Sequence, residues 1–263
     1  MSRRSKVRLE RDPARDGRLA QLVLDRPEVL NAIDNELAED LCDRCLELAE
    51  DRSIQVVILR GEGERAFCAG ADLKARQGFD EPQWLAQRAL FRRTFDLVRA
   101  VPQPMLAAVH GYALGGGTEL ALLADLIVAS EDAQFGLTEV SLGIIPGGGG
   151  TQTLPRRIGL SRAKELIFAA RRIPAAEALA LGLANHVVPK AELLARAEQL
   201  ADEFLRNSPF ALRQAKWAID QGFDLPFGEA LEREHAAYMR ALDSPERAEG
   251  IAAFNEKRTP QWK

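Results

Sequence analysis

Glu119 follows three consecutive glycines, Gly115, Gly116 and Gly117, and precedes the apolar segment LALLA. A glycine-rich start of a helix leaves backbone N–H groups unpaired, and these groups can bind an anion or a developing oxyanion. A glutamate in the first turn of a helix is also stabilised by the helix dipole alone. Glu119 is therefore a candidate catalytic carboxylate, although its local sequence taken alone favours a structural glutamate stabilised by the helix dipole.

Glu139 is the only charged residue between Ala133 and Pro155. Apolar surroundings raise the pKa of a glutamate, and a carboxylic acid that donates a proton near neutral pH needs that elevation. A turn glutamate that points into solvent would have the same local sequence. Glu139 is thus a candidate general acid, with a solvated turn residue as the alternative.

A third segment, FCAGADLK, contains small residues from Ala69 to Ala71. Small residues allow another molecule to approach the backbone closely, and they also occur in tight turns. The segment is a candidate contact site for a ligand.

Cys42 and Cys45 form a C-x-x-C motif inside a predicted helix of residues 34–51. The apolar stripe of this helix consists of Leu37, Leu41, Cys45 and Leu48. The motif is therefore interpreted as core packing, not as a zinc or redox site. The three histidines are scattered along the chain, so no bound metal is expected.

The segment GEGERA, residues 61–66, superficially matches the G-x-G-x-x-A fingerprint of dinucleotide-binding proteins. Its two glutamates would face the pyrophosphate of the dinucleotide, and no apolar helix follows it. The segment does not predict NAD binding.

Over the first half of the chain, predicted strands alternate with predicted helices, and these elements must position the candidate residues. Predicted strands RLAQLVLD, IQVVILR and MLAAVHG are separated by helical segments, which indicates parallel strands with crossover helices. From Ser161 onward the pattern is almost entirely helical, and the last helix is predicted to have Ser244 as N-cap and Pro245 as first residue. We therefore predict an α/β core followed by a helical C-terminal region.

The composition excludes several classes of protein. The 263 residues carry a formal net charge of −4, without the basic balance on which nucleic-acid binding usually depends. No apolar run approaches the roughly 20 residues of a membrane helix, and three cysteines do not suggest a disulfide framework. A cytoplasmic location without membrane association is the expectation.

The segments FCAGADLK, GYALGGGTELALLADLIVA and FGLTEVSLGIIPGGGGTQTLPRRIG together resemble the signature of the crotonase family, the enoyl-CoA hydratase/isomerase superfamily. The resemblance extends from LDRPEVLNAI near the start to AFNEKRTP near the end, with matching order and spacing. It implies a spiral of ββα turns in residues 1–200. It also implies a helical region in residues 201–263 that builds homotrimers, two of which commonly stack into a homohexamer.

The same resemblance implies an enoyl-CoA hydratase that acts in fatty acid β-oxidation. The thioester oxygen of an acyl-CoA substrate would lie between the backbone N–H groups of Ala71 and Gly116, which form an oxyanion hole. Glu119, as a carboxylate, would deprotonate the attacking water, and Glu139, protonated beforehand, would deliver a proton to the α-carbon. No cofactor is needed, because coenzyme A is part of the substrate.

For coenzyme A itself, the resemblance points to the backbone around Ala69 and Ala71, with Lys74 nearby. Phe254 and Lys257 resemble C-terminal residues that reach the nucleotide part of coenzyme A, often across a subunit boundary. Each of the two lysines is equally compatible with a solvated surface charge.

Three alternatives stay open at this point. The segment around Glu139 also resembles 3-methylglutaconyl-CoA hydratases, whose carboxylated acyl group needs a cation that the sequence does not identify. An enoyl-CoA isomerase needs only one carboxylate to move a proton between two carbons. RNA binding, known for one relative of the methylglutaconyl-CoA hydratases, is disfavoured by the acidic balance.

Overall fold

Two β-sheets form the framework of the computed structural model, which describes residues 4–262. The strands of the larger sheet are β1 (Val7–Arg11), β2 (Leu19–Leu24), β3 (Val56–Gly61), β5 (Met105–Val109), β7 (Leu126–Ser130) and β10 (His186–Val188), adjacent in that order. Those of the smaller sheet are β4 (Ala66–Cys68), β6 (Tyr112–Leu114), β8 (Gln134–Gly136) and β9 (Ile173–Pro174), again adjacent in that order. The pairs β1–β2 and β8–β9 are antiparallel, and the other pairs are parallel.

Ten α-helices lie within the described residues. They are α1 (Asn35–Glu50), α2 (Glu81–Arg99), α3 (Gly116–Leu123), α4 (Gly150–Ile158), α5 (Leu160–Phe168), α6 (Ala175–Leu181), α7 (Leu193–Leu205), α8 (Pro209–Gly222), α9 (Phe227–Leu242) and α10 (Pro245–Glu256). None of these helices is long and apolar enough to cross a membrane.

The chain repeats a single pattern in which one strand joins the larger sheet, the next joins the smaller sheet, and a helix follows. The units β3-β4-α2, β5-β6-α3 and β7-β8-α4 each follow this order, and their strands stack in parallel within both sheets. The predicted spiral of ββα turns is confirmed. Because the turns stack, the segments that follow β4, β6 and β8 come together at the same end of the spiral.

Helix α1 confirms the prediction made for residues 34–51. Asp34 caps the helix, since its carboxylate accepts the backbone N–H of Leu37 at 2.8 Å. All four residues of the predicted apolar stripe are buried, and burial raises the pKa of the Cys45 thiol to about 12. Both C-x-x-C residues are therefore part of the core, and the Cys45 thiol stays protonated there.

The segment of residues 61–66 crosses from the larger sheet to the smaller one. The Glu62 carboxylate accepts hydrogen bonds from Arg8 at 2.6 Å and Arg60 at 3.2 Å. Strand β4 follows directly where a dinucleotide-binding fingerprint would open a helix.

Helix α7 covers one face of the larger sheet, where alternate strand residues such as Leu19, Ile58 and Leu106 pack against Leu200 and Leu205. The other face packs against the helices of the spiral. Burial on both faces explains why these strands are almost continuously apolar. The predicted boundary between the spiral core and the C-terminal region, at residue 200, falls inside α7, which covers the core. The division into these two regions stays a prediction.

The C-terminal region consists of α8, α9 and α10. Helix α10 begins as predicted, with Pro245 as first residue and Ser244 as N-cap, whose hydroxyl accepts the N–H of Glu246 at 3.2 Å. Several large apolar side chains in this region are exposed: Ile219, Phe223, Phe227, Tyr238, Ile251 and Phe254.

Candidate active site

The backbone around Ala71 is held against the start of α3. Gly70 has φ +92°, and a Cβ at this position would lie 2.7 Å from the carbonyl oxygen of Leu114 and 3.3 Å from the amide nitrogen of Gly116. A side chain there would collide with backbone, so glycine is required. The segment is fixed on its other side by Ile33, whose N–H donates to Gly70 at 2.8 Å and whose carbonyl accepts from Asp72 at 2.9 Å.

These contacts leave the N–H groups of Ala71 and Gly116 available. The bridge to Ile33 uses the backbone of Gly70 and Asp72, and in residues 4–262 no backbone acceptor is found for the N–H of Ala71 or Gly116. Gly116 is the first residue of α3, where an N–H has no partner within the helix. Two adjacent free donors, one at the positive end of a helix, can stabilise a negatively charged oxygen.

Helix α3 lies close to β4 because its second residue is Gly117. A Cβ on Gly117 would lie 1.9 Å from the carbonyl oxygen of Cys68, so any side chain would push the helix away from the sheet. Thr118 adds a second attachment, since its hydroxyl donates to the carbonyl of Ala113 at 2.5 Å. The same attachment fixes Glu119, one residue further along.

Glu119 is buried, with 3% of its surface exposed, and its carboxylate is bound by backbone donors. The Oε1 atom accepts the N–H of Gly148 at 2.7 Å and that of Gly150 at 2.8 Å. Burial raises the pKa of Glu119 above its ordinary value, and these hydrogen bonds and the nearby Arg88 offset only part of that rise. Backbone donors and a cation favour the ionised form, as a general base requires.

Glu139 is the first residue of a short 3₁₀ helix, Glu139–Leu142, and its environment is the opposite one. Its Oε2 atom is buried and has no hydrogen-bond partner among the described residues. Burial, with a further contribution from the charge of Glu119, raises the pKa of Glu139 to about 7. At neutral pH the Glu139 carboxyl is therefore protonated in about half of the molecules.

The two carboxylates and the free N–H groups surround one space. A Cβ on Gly115 would lie 3.1 Å from Oε1 of Glu139, and a Cβ on Gly150 would lie 3.0 Å from Oε1 of Glu119. Helix α2 forms a wall of this space, since the Phe95 ring lies 3.5 Å from a Cβ built on Gly116 and 2.6 Å from one built on Gly148. The structure thus brings together all four residues predicted to be catalytic: Ala71, Gly116, Glu119 and Glu139.

The residues predicted to contact coenzyme A are spread over two regions. Ala69 lies beside the free donors, and its own N–H donates to the carbonyl of Leu30 at 3.0 Å. Lys74 lies on an exposed turn, where its backbone N–H donates to the carboxylate of Asp72 at 3.1 Å.

Phe254 and Lys257 lie on the last turn of α10 and just after it. Phe254 is 83% exposed, and Lys257, at φ 55°, ends the helix. The contacts that hold α10 involve the corner between α7 and α8, where the Glu246 carboxylate accepts the N–H of Phe210 at 3.2 Å. In the described part of a single chain, these two residues are not brought to the loop of Ala69 and Lys74.

Two features of the site were not predicted from the sequence. The N–H groups of Gly148 and Gly150 bind Glu119, and the glycine run that supplies them was visible at residues 147–150. Arg88 lies against the same loop, with its Cζ 3.4 Å from a Cβ built on Gly147. Nothing in the local sequence of α2 distinguishes Arg88 from its neighbouring arginines.

Comparison with known proteins gives consistent results. Residues 15–263 match the family model described as enoyl-CoA hydratase/isomerase. YngF of Bacillus subtilis (strain 168), named as an enoyl-CoA hydratase/isomerase, is 46% identical over 93% of this chain and 94% of its own length. The human mitochondrial methylglutaconyl-CoA hydratase is 42% identical over 89% of this chain and 70% of its own length. The crystal structure of enoyl-CoA hydratase from Bacillus anthracis superposes with a TM-score of 0.94 at 43% identity, covering 98% of this chain and 99% of that one.

Proposed function

Since the chain belongs to the enoyl-CoA hydratase/isomerase family, we propose that it is a hydratase that adds water reversibly to the double bond of a 2-enoyl-CoA thioester. The observation that carries this proposal is the contrast between the two glutamates. The buried Glu119 carboxylate is bound by backbone donors, whereas the half-buried Glu139 has a buried, unpartnered oxygen and a pKa of about 7. Hydration needs one base and one acid, and this pair supplies both at neutral pH.

In the proposed reaction, the thioester oxygen accepts the N–H groups of Ala71 and Gly116. Glu119 removes a proton from a water molecule, whose oxygen forms a bond to the β-carbon as the π electrons move to the thioester oxygen. Each donor in such an oxyanion hole typically contributes about 10²- to 10³-fold in rate. The enolate then collapses, and its α-carbon takes the proton of Glu139, which gives a 3-hydroxyacyl-CoA by syn addition.

No cofactor takes part in this proposal, because the thioester itself accepts the electrons. Coenzyme A would contact the backbone at Ala69 and Ala71, with Lys74 close to its path. The cytoplasmic location and the role in fatty acid β-oxidation stay predictions.

The first test is the loss of enoyl-thioester absorbance when the purified protein is mixed with crotonyl-CoA. A rapid loss, with 3-hydroxybutyryl-CoA as product, is the expected result. If the protein instead converts a 3-enoyl-CoA to its 2-enoyl isomer and adds no water, the chain is an isomerase. If neither of these thioesters nor 3-methylglutaconyl-CoA reacts, the hydratase proposal is wrong, and RNA binding at physiological salt becomes the alternative to measure.

A hydratase for 3-methylglutaconyl-CoA is the second candidate, supported by the 42% identity to the human enzyme of that name. A parallel assay with 3-methylglutaconyl-CoA distinguishes the two. A higher kcat/KM for the branched substrate than for crotonyl-CoA would favour the second candidate.

The proposal extends to assembly as a homotrimer or homohexamer. The exposed aromatic side chains just after α8 and on α9 and α10 support it, because an exposed apolar patch usually marks an interface. Phe227 and Phe254 are 80% and 83% exposed in the single chain. Light scattering of the purified protein should give three or six times the mass of one chain, and the mass of one chain would contradict this part of the proposal.

A further inference from the structure

Helix α2 presents one face to the candidate active site. Phe91 and Phe95 on this face are buried, and the Phe95 ring lies beside Gly116, whose N–H is one of the free donors. Arg88 lies one helical turn before Phe91 on the same face, since residues three apart on a helix are neighbours. Its guanidinium therefore lies at the edge of the space that contains Glu119 and Glu139.

The position of the Arg88 guanidinium is set by its contact with the loop that binds Glu119. A Cβ built on Gly147 would lie 3.4 Å from Cζ and Nη1 of Arg88 and 3.5 Å from Nη2. The positive charge is close enough to Glu119 to lower the pKa of that carboxylate. It does not form a hydrogen bond or a salt bridge with any residue in the range 4–262.

Two nearby arginines, Arg92 and Arg76, differ from Arg88 in this respect. Arg92, one turn further along α2, lies 3.9 Å from the carboxylate of Asp96. Arg76, across from α2, donates to Gln87 at 2.6 Å and stacks on the Trp84 ring, with its Cζ 4.9 Å from the ring centroid. Arg88 is thus an exposed cation at the edge of this space, and its five N–H donors remain available to a bound molecule.

From this geometry we propose that Arg88 binds a second carboxylate at the far end of the acyl chain, so that the preferred substrates are 2-enoyl thioesters of dicarboxylic acids. A planar guanidinium binds a carboxylate through two parallel hydrogen bonds, which gives both affinity and orientation. The proposal rests on the hydratase function and names the substrate class of the same site.

The position of Arg88 next to Glu119 favours the acyl carboxylate over the phosphates of coenzyme A. Glu119 acts at the β-carbon, which lies on the acyl side of the thioester carbonyl. The phosphates lie on the opposite side, separated from the thioester by the whole pantetheine arm. A substrate carboxylate near Glu119 would also be repelled by it, and Arg88 offsets that repulsion.

The test compares crotonyl-CoA with glutaconyl-CoA, in which a carboxylate replaces one hydrogen of the terminal methyl group. For Arg88→Gln, we expect kcat/KM to fall at least about tenfold more for glutaconyl-CoA than for crotonyl-CoA, mainly through KM. The matched control is Arg92→Gln, on the same helix but paired with Asp96, which should leave the ratio of the two substrates unchanged.

An equal loss of kcat/KM for both substrates in Arg88→Gln would overturn the proposal, because it would mean that Arg88 acts only on Glu119. The wild-type protein separates this failure from that of the hydratase function itself. If it hydrates crotonyl-CoA while the ratio does not respond to Arg88, the hydratase function stands and the substrate class is wrong. If it hydrates neither thioester, calorimetric binding of both still decides, since only glutaconyl-CoA should lose affinity in Arg88→Gln.

Discussion

The pockets of Glu119 and Glu139 each bury a carboxyl oxygen, but they differ in the hydrogen-bond donors that they supply to it. The pocket of Glu119 is closed by the loop of residues 147–150, which supplies two N–H donors to one oxygen. The pocket of Glu139 buries an oxygen without supplying any donor to it among the described residues. Burial raises the pKa of both groups, and at Glu119 the backbone donors of the loop oppose that rise.

The largest expected effect comes from removing either carboxyl group. Glu119→Gln and Glu139→Gln should each lower kcat for crotonyl-CoA by about 10²- to 10⁴-fold, because each removes one proton transfer. Binding of the product thioester, measured by calorimetry, should persist in both. Glu131→Gln, an exposed carboxylate eight residues before Glu139, serves as the control and should keep its activity. Hydration by both active-site variants at nearly the wild-type rate would contradict the assigned roles.

The two pockets should also produce two limbs in the pH profile. Above pH about 7 the Glu139 carboxyl loses its proton, so kcat/KM should fall about tenfold per pH unit. At the acidic end kcat/KM should fall as Glu119 becomes protonated, above the ordinary glutamate pKa of 4.5. The residual activity of Glu139→Gln should lack the alkaline limb. An alkaline limb that persists in this variant would assign the acid to another group.

Gly150→Ala tests the loop that distinguishes the pockets. The new Cβ would lie 3.0 Å from Oε1 of Glu119 and 2.8 Å from Cδ1 of Leu137, so the carboxylate must shift. A displaced base should lower kcat by about 10- to 100-fold. Gly228→Ala in α9 is the matched control, because no atom lies within 4 Å of its Cβ, and it should retain full activity. Equal kcat values for the two variants would show that the loop does not position Glu119.

The smallest expected effect is on stability. The folded state raises the pKa of Glu139 from 4.5 to about 7, so between these values it binds more protons than the unfolded state. The contribution of Glu139 to the free energy of unfolding therefore decreases as pH rises through this window. Glu139→Gln should remove that decrease and be more stable than wild type at pH 8 by about 1–2 kcal/mol, an amount limited by partial solvation. Denaturant unfolding at pH 5 and pH 8 measures this difference, and a wild type that is the more stable at pH 8 would contradict the proposed burial of this group.

Much of the site was predictable because its parts are local. The glycines before Glu119 indicate the start of a helix, and the uncharged segment around Glu139 indicates an apolar environment for its carboxyl group. The apolar stripe of α1 and the cap of α10 follow from spacing and residue type within one helix, and both are confirmed. The family signature added the order of the turns, from which the convergence of Ala71, Gly116 and the two glutamates was expected.

The sequence by itself therefore determined which groups can do chemistry and which elements carry them. Only the tertiary structure decided which hydrogen-bond donors, charges and degree of burial surround each of these groups. The donors to Glu119 come from residues about thirty positions later in the chain, and Arg88 comes from about thirty positions earlier. Hydrogen bonding and desolvation depend on what surrounds a carboxylate in space, so its protonation state is set when the turns of the spiral stack.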